Sequence, residues 1–419
     1  MKHFSLMIFL LLGGIFGVSA QDNVPAVFRF GDVLDIALEN HPQLKQFEAR
    51  VQAKRGEWWQ GIGLASPEIS YLSEGMPTDG DGFAERRWTI SQQVDFPLQS
   101  FFRMQRLRAE RQSRSAELAA YHRDLVAQLK NAYADVAYAL KLRDLRKQQF
   151  DIFNDLQGIA QTRVDVGEAA ALELLKINIQ LAEAENDLTD AENSYEQARY
   201  ELFRLMGIDP DEQSYDVAFT DTLRFFAVTV DQESALRQLP DQPQLVSRDA
   251  AFRAAKFQSR EAWSSFLPDI SLSFYKQDYG SGYDFNGYEV GLSIPLWFPF
   301  NQRGEIQRAH AVQNEAKWER QRVLLQLKAD IENAWHSYQA SLEVIERFDN
   351  VIRRQAEQLL QLTREAYQLG EIDVLNLLDS QRTYLDSQQR YQKALRDYYR
   401  QLIALERVLG EELVFKEKG

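Results

Sequence analysis

Few residue types in this chain could do chemistry. There is no cysteine, which excludes thiolate nucleophiles, thiolate metal sites and disulfides. The five histidines, at positions 3, 41, 122, 310 and 336, are scattered without metal-ligand spacing, so surface or packing roles are expected. No HExxH, phosphate loop or nucleophile elbow is present. What remains is a run of acids, amides and leucines around Gly370, in YQLGEIDVLNLLDSQRTYL (367–385). Residues three and four apart on a helix share a stripe. Asp373, Asn376, Asp379 and Asp386 therefore fall close to one stripe, and Leu375, Leu378 and Arg382 close to its neighbour. Ranked carboxylates attract cations and repel copies of themselves. That chemistry is electrostatic, so no enzyme activity, cofactor or metal site is expected. A plain solvated helix face would carry the same acids.

The stretch has an echo. VDVGEAAALELLKINIQL starts at Val164, and the Gly-Glu pairs at 167–168 and 370–371 are offset by 203 residues. NHPQL (40–44) returns as DQPQL (241–245), and SPEISY (66–71) as LPDISL (267–272), both offset by 201. NAYADVAYAL (131–140) aligns with NAWHSYQASL (333–342), and LFRLMG ending at Gly207 with ALERVLG ending at Gly410. Offsets that drift so little indicate a duplicated unit. The expected organisation is a signal peptide (1–20), a first repeat (21–207), an equatorial linker (208–229), a second repeat (230–410) and a C-terminal tail (411–419).

The first twenty residues have a basic start at Lys2, an apolar stretch and a small-residue Val18-Ser19-Ala20 end, the pattern of a cleaved secretory signal. The mature chain is expected to begin at Gln21 and to lack a lipidated N-terminal cysteine. The net charge of −14 falls to −15 once Lys2 is lost. With no basic patch, a nucleic-acid partner is not expected.

Each copy repeats one internal order: a short helical piece broken at Pro42 or Pro243, a strand hairpin, then a very long helical pair. No proline lies between Leu98 and Asp209 or after Pro299, and Ala, Leu, Glu, Gln and Arg dominate there. Helices of this length exceed any ordinary core and must pack along one another. The hairpins alternate with period two. Trp88, Ile90 and Val94 oppose Arg87, Thr89 and Ser91; Tyr288, Val290 and Leu292 oppose Glu289, Gly291 and Ser293. Four strands with one apolar face cannot close a barrel in lipid, so several chains must contribute. Two copies would give eight strands, and three would give twelve with room for a water-filled channel. Phe96, Phe101, Phe102, Trp297, Phe298 and Phe300 cluster where each second strand ends, as an interfacial girdle or as packing for the strand-to-helix joint.

Two tandem copies of helix, hairpin and long helical pair behind a signal peptide resemble the TolC-type outer-membrane efflux proteins, over nearly the whole mature chain. LLDSQRTYL is among the stretches that carry the resemblance. It implies a mainly α fold with a small β part. Four strands per chain would join a twelve-stranded trimeric outer-membrane barrel above an α-helical periplasmic tunnel. It implies a passive exit duct of a tripartite system, with a homotrimer set in outer-membrane lipid. A periplasmic adaptor and a proton-driven or ATP-driven inner-membrane pump would be its partners. Adaptor docking turns would fall at Val166, Gly167 and Glu168 and at Leu369, Gly370 and Glu371. The periplasmic gate would draw on Leu375, Asn376, Asp379, Arg382 and Tyr367, with Glu173 and Lys176 from the first copy. Lys176 would pair with Asp379 across the tip. Two alternatives stay open: the exit duct of a type I protein-secretion system, and a coiled-coil tether that transports nothing.

Overall fold

The computed structural model describes residues 27–76, 79, 82–167, 170–209, 218–219, 222–228, 236–280, 282–294, 297–369 and 371–415. The expected signal segment, Glu168, Gly370 and the end of the tail lie outside the described residues.

Helices dominate. α1 (Phe30–Asn40) and α2 (Pro42–Gln60) lead into strands β2 (Glu68–Glu74) and β3 (Glu85–Val94), preceded by a two-residue strand β1 (Val27–Phe28). α3 (Pro97–Asp165) then runs for 69 residues, about 100 Å at 1.5 Å per residue. α4 (Ala171–Met206) returns beside it. Strand β4 (Ala218–Phe219) lies in the linker, and the second copy follows with α5 (Pro243–Ser264), β5 (Asp269–Asp278) and β6 (Asp284–Ser293). Its long helices are α6 (Phe298–Arg347), α7 (Arg353–Gln368) and α8 (Val374–Leu409).

Proline sets the starts of α2 and α5. Pro42 and Pro243 each occupy the first turn, where a missing N–H costs nothing. The residues before them, His41 and Gln242, are extended and buried, and they tie the joints down. His41 Nε2 lies 2.6 Å from the Tyr121 hydroxyl, and Gln242 Nε2 donates to the Val408 carbonyl at 2.5 Å. Each copy ends on a left-handed glycine, Gly207 (φ 73°) and Gly410 (φ 74°).

The two copies differ in their descending helix. α3 is uninterrupted, whereas a π-helical turn at Phe348–Ile352 separates α6 from α7. There Asp349 pairs with Arg353 at 3.2 Å, and that guanidinium sits over the Tyr391 ring. Sequence periodicity gave no sign of the extra residue.

α3 is buried on several sides because it packs against α2, α4, α5 and α8. Small residues such as Ala127, Ala132, Ala134 and Ala137 let those neighbours approach. Two apolar clusters result. One gathers Phe30, Val33, Leu129, Tyr133, Phe203 and Met206 from the first copy. The other is built mainly from the second copy, around Tyr338, Ile345, Leu395, Tyr398 and Leu402, with Ala127 and Ala134 of α3 joining it. The linker crosses that second cluster, where Tyr338, Tyr398 and Tyr399 donate hydroxyls to the carbonyls of Val228, Phe226 and Arg224 at 2.6, 2.8 and 3.0 Å.

The main sheet has the order β2-β3-β5-β6, antiparallel throughout. The β3–β5 pairing joins the hairpins of the two copies, with Ile90 opposite Phe274. The expected four strands make up this sheet. Apart from it, β1 and β4 form a short parallel pair, which ties Val27 and Phe28 to the linker. Two residues per strand are too few to leave a pattern in the sequence.

Candidate functional site

The sheet inverts the rule of a water-soluble protein. Its apolar side chains are the exposed ones: Trp88 is 56% exposed, Phe274 55% and Tyr288 84%. The sheltered face is polar. Gln277 is buried and donates to Glu85 and to the Tyr279 hydroxyl, each at 2.6 Å, and Arg87 pairs with Glu85 at 2.5 Å. Apolar outside and polar inside is the arrangement of a barrel wall in lipid.

Aromatic rings ring the base of the sheet. Phe101, Trp297 and Phe300 are exposed there, Phe96 and Phe102 are half-buried, and the Phe298 side chain lies outside the description. Sequence reading missed two further members. Trp59 at the end of α2 and Trp263 at the end of α5 are also exposed, and their offset of 204 residues was the available signal. Just below, Arg103 bonds Asp95 at 2.5 Å and Glu261 at 3.0 Å, and Arg106 bonds Glu261 and Glu110, each at 2.8 Å. Lys54 reaches Glu110 at 3.0 Å. Burial opposes ionisation of Glu110, but its bonds to Lys54 and Arg106 outweigh burial and hold its carboxyl below the ordinary value. This network clamps α2, α3 and α5 under the sheet.

The tip is at the other end of the long helices. α3 closes through Val166, whose N–H bonds the Thr162 carbonyl at 3.2 Å, and Gly167 turns the chain with φ 79°. That left-handed angle is why glycine stands there. In the second copy, Leu369 N–H bonds Glu365 and Glu371 N–H reaches back to Ala366 at 2.9 Å, a Schellman-type closure. Val166 and Leu369 are 65% and 75% exposed, so both turns present an apolar side chain outward. Asp373 then caps α8, accepting from Asn376 N at 3.0 Å and from its Nδ2 at 2.9 Å.

Between the two turns lies a cleft of about 700 Å³, bordered by Arg163, Glu173, Lys176, Tyr367, Asp373 and Leu375. Four of the expected gate residues are thus gathered in one place. Asn376, Asp379 and Arg382 are exposed on α8 and do not border it. Leu377, Ser380 and Gln381 make the buried side of α8. The pairing of Lys176 with Asp379 is not found within one chain among the described residues. Instead Glu173 faces Arg163 at 3.8 Å. Arg163 also donates to the Tyr367 hydroxyl at 3.3 Å. The sequence reading did not single out Arg163. Its only signal is a cation in the last turn of α3, where the helix dipole favours one.

A small outward-apolar sheet carried on two copies of very long helices narrows the families that could match. Residues 33–208, and again 237–411, match the family described as outer membrane efflux protein. The chain belongs to that family. This outer membrane efflux protein is similar to the cobalt-zinc-cadmium resistance protein CzcC of Cupriavidus metallidurans, at 24% identity over 393 residues, covering 90% of this chain and 88% of the relative. It is similar to the outer membrane protein TolC of Vibrio cholerae, at 22% identity, covering 91% and 90%. Among solved structures, the CmeC outer membrane channel of Campylobacter jejuni superposes with a TM-score of 0.80 at 13% identity, covering 91% of this chain and 85% of that one. The open state of the MtrE outer membrane channel of Neisseria gonorrhoeae gives 0.76 at 17%, covering 91% and 89%. The efflux protein therefore has the mainly helical, duplicated fold of outer membrane channels. Among the described residues no helix is long and apolar enough to cross a membrane. Nor is there a group of three or more His, Asp or Glu placed to hold a metal ion.

Proposed function

We propose that three copies of this efflux protein assemble head to tail into a passive exit duct. The carrying observation is the open-edged sheet with its apolar face outward and its polar face sheltered. Among the described residues β2 and β6 have outer edges without a partner strand, and lipid does not tolerate unpaired backbone. β6 of one copy against β2 of the next removes every edge, and three copies make a twelve-stranded barrel with a water-filled lumen. The long helices extend this lumen through the periplasm.

Export energy comes from an inner-membrane pump, proton-driven or ATP-driven, reached through a periplasmic adaptor. Val166, Gly167 and Glu168 and Leu369, Gly370 and Glu371 are the docking turns, and the exposure of Val166 and Leu369 supports this. Leu375, Asn376, Asp379, Arg382, Tyr367, Glu173 and Lys176 form the gate at the tip. The chain is exported by a cleaved signal over residues 1–20 and carries no lipid anchor. The remaining divisions are repeats at 21–207 and 230–410, an equatorial linker at 208–229 and a tail at 411–419. The cargo is small molecules or ions. Similarity to CzcC supports metal cations as one class to test first.

The test is conductance of the purified protein in planar bilayers, beside cargo sensitivity of a deletion strain. Trimer-sized particles, discrete channels after Asp379→Ala with Leu375→Ala, and new sensitivity on deletion are expected. A folded trimer that never conducts would refute the duct.

A further inference from the structure

Residues 411–415 follow the second repeat, and they fold back into the junction between the two copies. Lys130 of α3 is 1% exposed. Its Nζ donates to Glu406 Oε1 of α8 and to the Val414 carbonyl at 2.9 Å. The other oxygen of Glu406 accepts from the N–H groups of Leu413 and Val414, at 2.9 and 3.1 Å. Three of these four bonds need the tail. A buried ion pair holds only when its remaining donors and acceptors are satisfied.

Phe415 completes the arrangement. Its ring stacks on Phe30 at 5.4 Å, meets Tyr133 edge-on at 5.2 Å and lies 5.5 Å from Tyr399. Phe30 and Tyr133 belong to the first copy and Tyr399 to the second. Phe415 is accordingly packed against both apolar clusters. Its φ of 49° falls in the left-handed region, which a bulky residue occupies only when its surroundings compensate.

We propose that Leu413, Val414 and Phe415 form a C-terminal lock that fuses the two repeats at Lys130 and Glu406. Lys130 stands about 50 Å above the tip, counting 1.5 Å per residue down α3. The copies are therefore fixed to each other at a junction far from the turns. This inference concerns the single chain and does not depend on the duct reading.

The test compares thermal unfolding of the purified full-length protein with Phe415→Ala, a chain ending at Gly410, Lys130→Met, Glu406→Leu and the double variant. Phe415→Ala and the shortened chain are expected to melt lower by at least about 2 °C. Lys130→Met alone leaves Glu406 buried without its partner, so it is expected to melt below the double variant. Should the shortened chain not fold, Phe415→Ala, which keeps the backbone bonds, decides the matter. Unchanged melting of Phe415→Ala, or single-variant effects that simply add in the double, would overturn the lock.

Discussion

Arg163 and Tyr367, 204 residues apart in sequence, meet at the tip through a 3.3 Å hydrogen bond from guanidinium to hydroxyl. The same guanidinium faces Glu173 at 3.8 Å. One side chain of α3 therefore holds both its own return helix and the descending helix of the other copy. A partly exposed contact of this kind is worth about 1 kcal/mol or less. Arg163→Ala should consequently loosen the tip without unfolding the protein. The expected result is more frequent or larger openings in single-channel recordings, with an unchanged melting temperature. Arg163→Lys should fall between, since an ammonium cannot span both partners in the same fork.

Asp379 is exposed on α8 and has no ion-pair partner within the chain among the described residues. In a trimer its three copies would set a cation-attracting field at the narrow end. Asp379→Asn is expected to shift the reversal potential in a salt gradient toward lower cation preference. Asn376→Ala, which removes only a hydrogen bond to Asp373, should leave selectivity intact.

The sheet offers a paired test of orientation. Phe274 is exposed and Ser273 is sheltered on neighbouring positions of β5. Phe274→Arg would put a cation into lipid, costing about 2–4 kcal/mol near the bilayer midplane. Membrane assembly of that variant should fall sharply in a fractionation assay. Ser273→Arg should still assemble and alter conductance.

Gly207 closes the first copy with φ 73°, and a Cβ there would come within 2.7 Å of the Asn40 carbonyl oxygen. Gly207→Ala is both strained and crowded, so a loss of about 1–3 kcal/mol is expected. Denaturant midpoints would measure it.

His41 gives a pH dependence. Burial, with Arg204 nearby, holds its imidazole below the ordinary value of 6.5. The folded state therefore keeps His41 neutral, while the unfolded chain takes up a proton as pH drops. This contribution is full above about pH 6.5 and is lost progressively as pH falls below it. The second copy carries Gln242 at the matching joint. His41→Gln should flatten the melting temperature between pH 7 and pH 5.5, and a profile identical to the parent would refute the assignment.

Much of this protein was written in one dimension. Offsets near 200 residues disclosed the duplication, since each copy must repeat its own turn and proline punctuation. Period-two alternation disclosed the two-faced strands, and proline-free runs disclosed the helices, because both depend on neighbours a few residues apart. Gly167 was legible for the same reason: a tight reversal calls for a left-handed angle. The partners of chemistry-bearing residues were not. The 203-residue offset puts Glu173 level with Asn376, and Lys176 level with Asp379, yet Glu173 faces Arg163 and Asn376 bonds Asp373. Repeat position does not specify contact, because the two copies pack side by side and not upon themselves. The π turn at Phe348–Ile352, the β1–β4 pairing and the burial of Lys130 against Glu406 share that character. Sequence set the periods and the breaks of this chain by itself. Which charges meet was decided by long helices brought alongside one another, whose contacts span hundreds of residues and leave no local pattern.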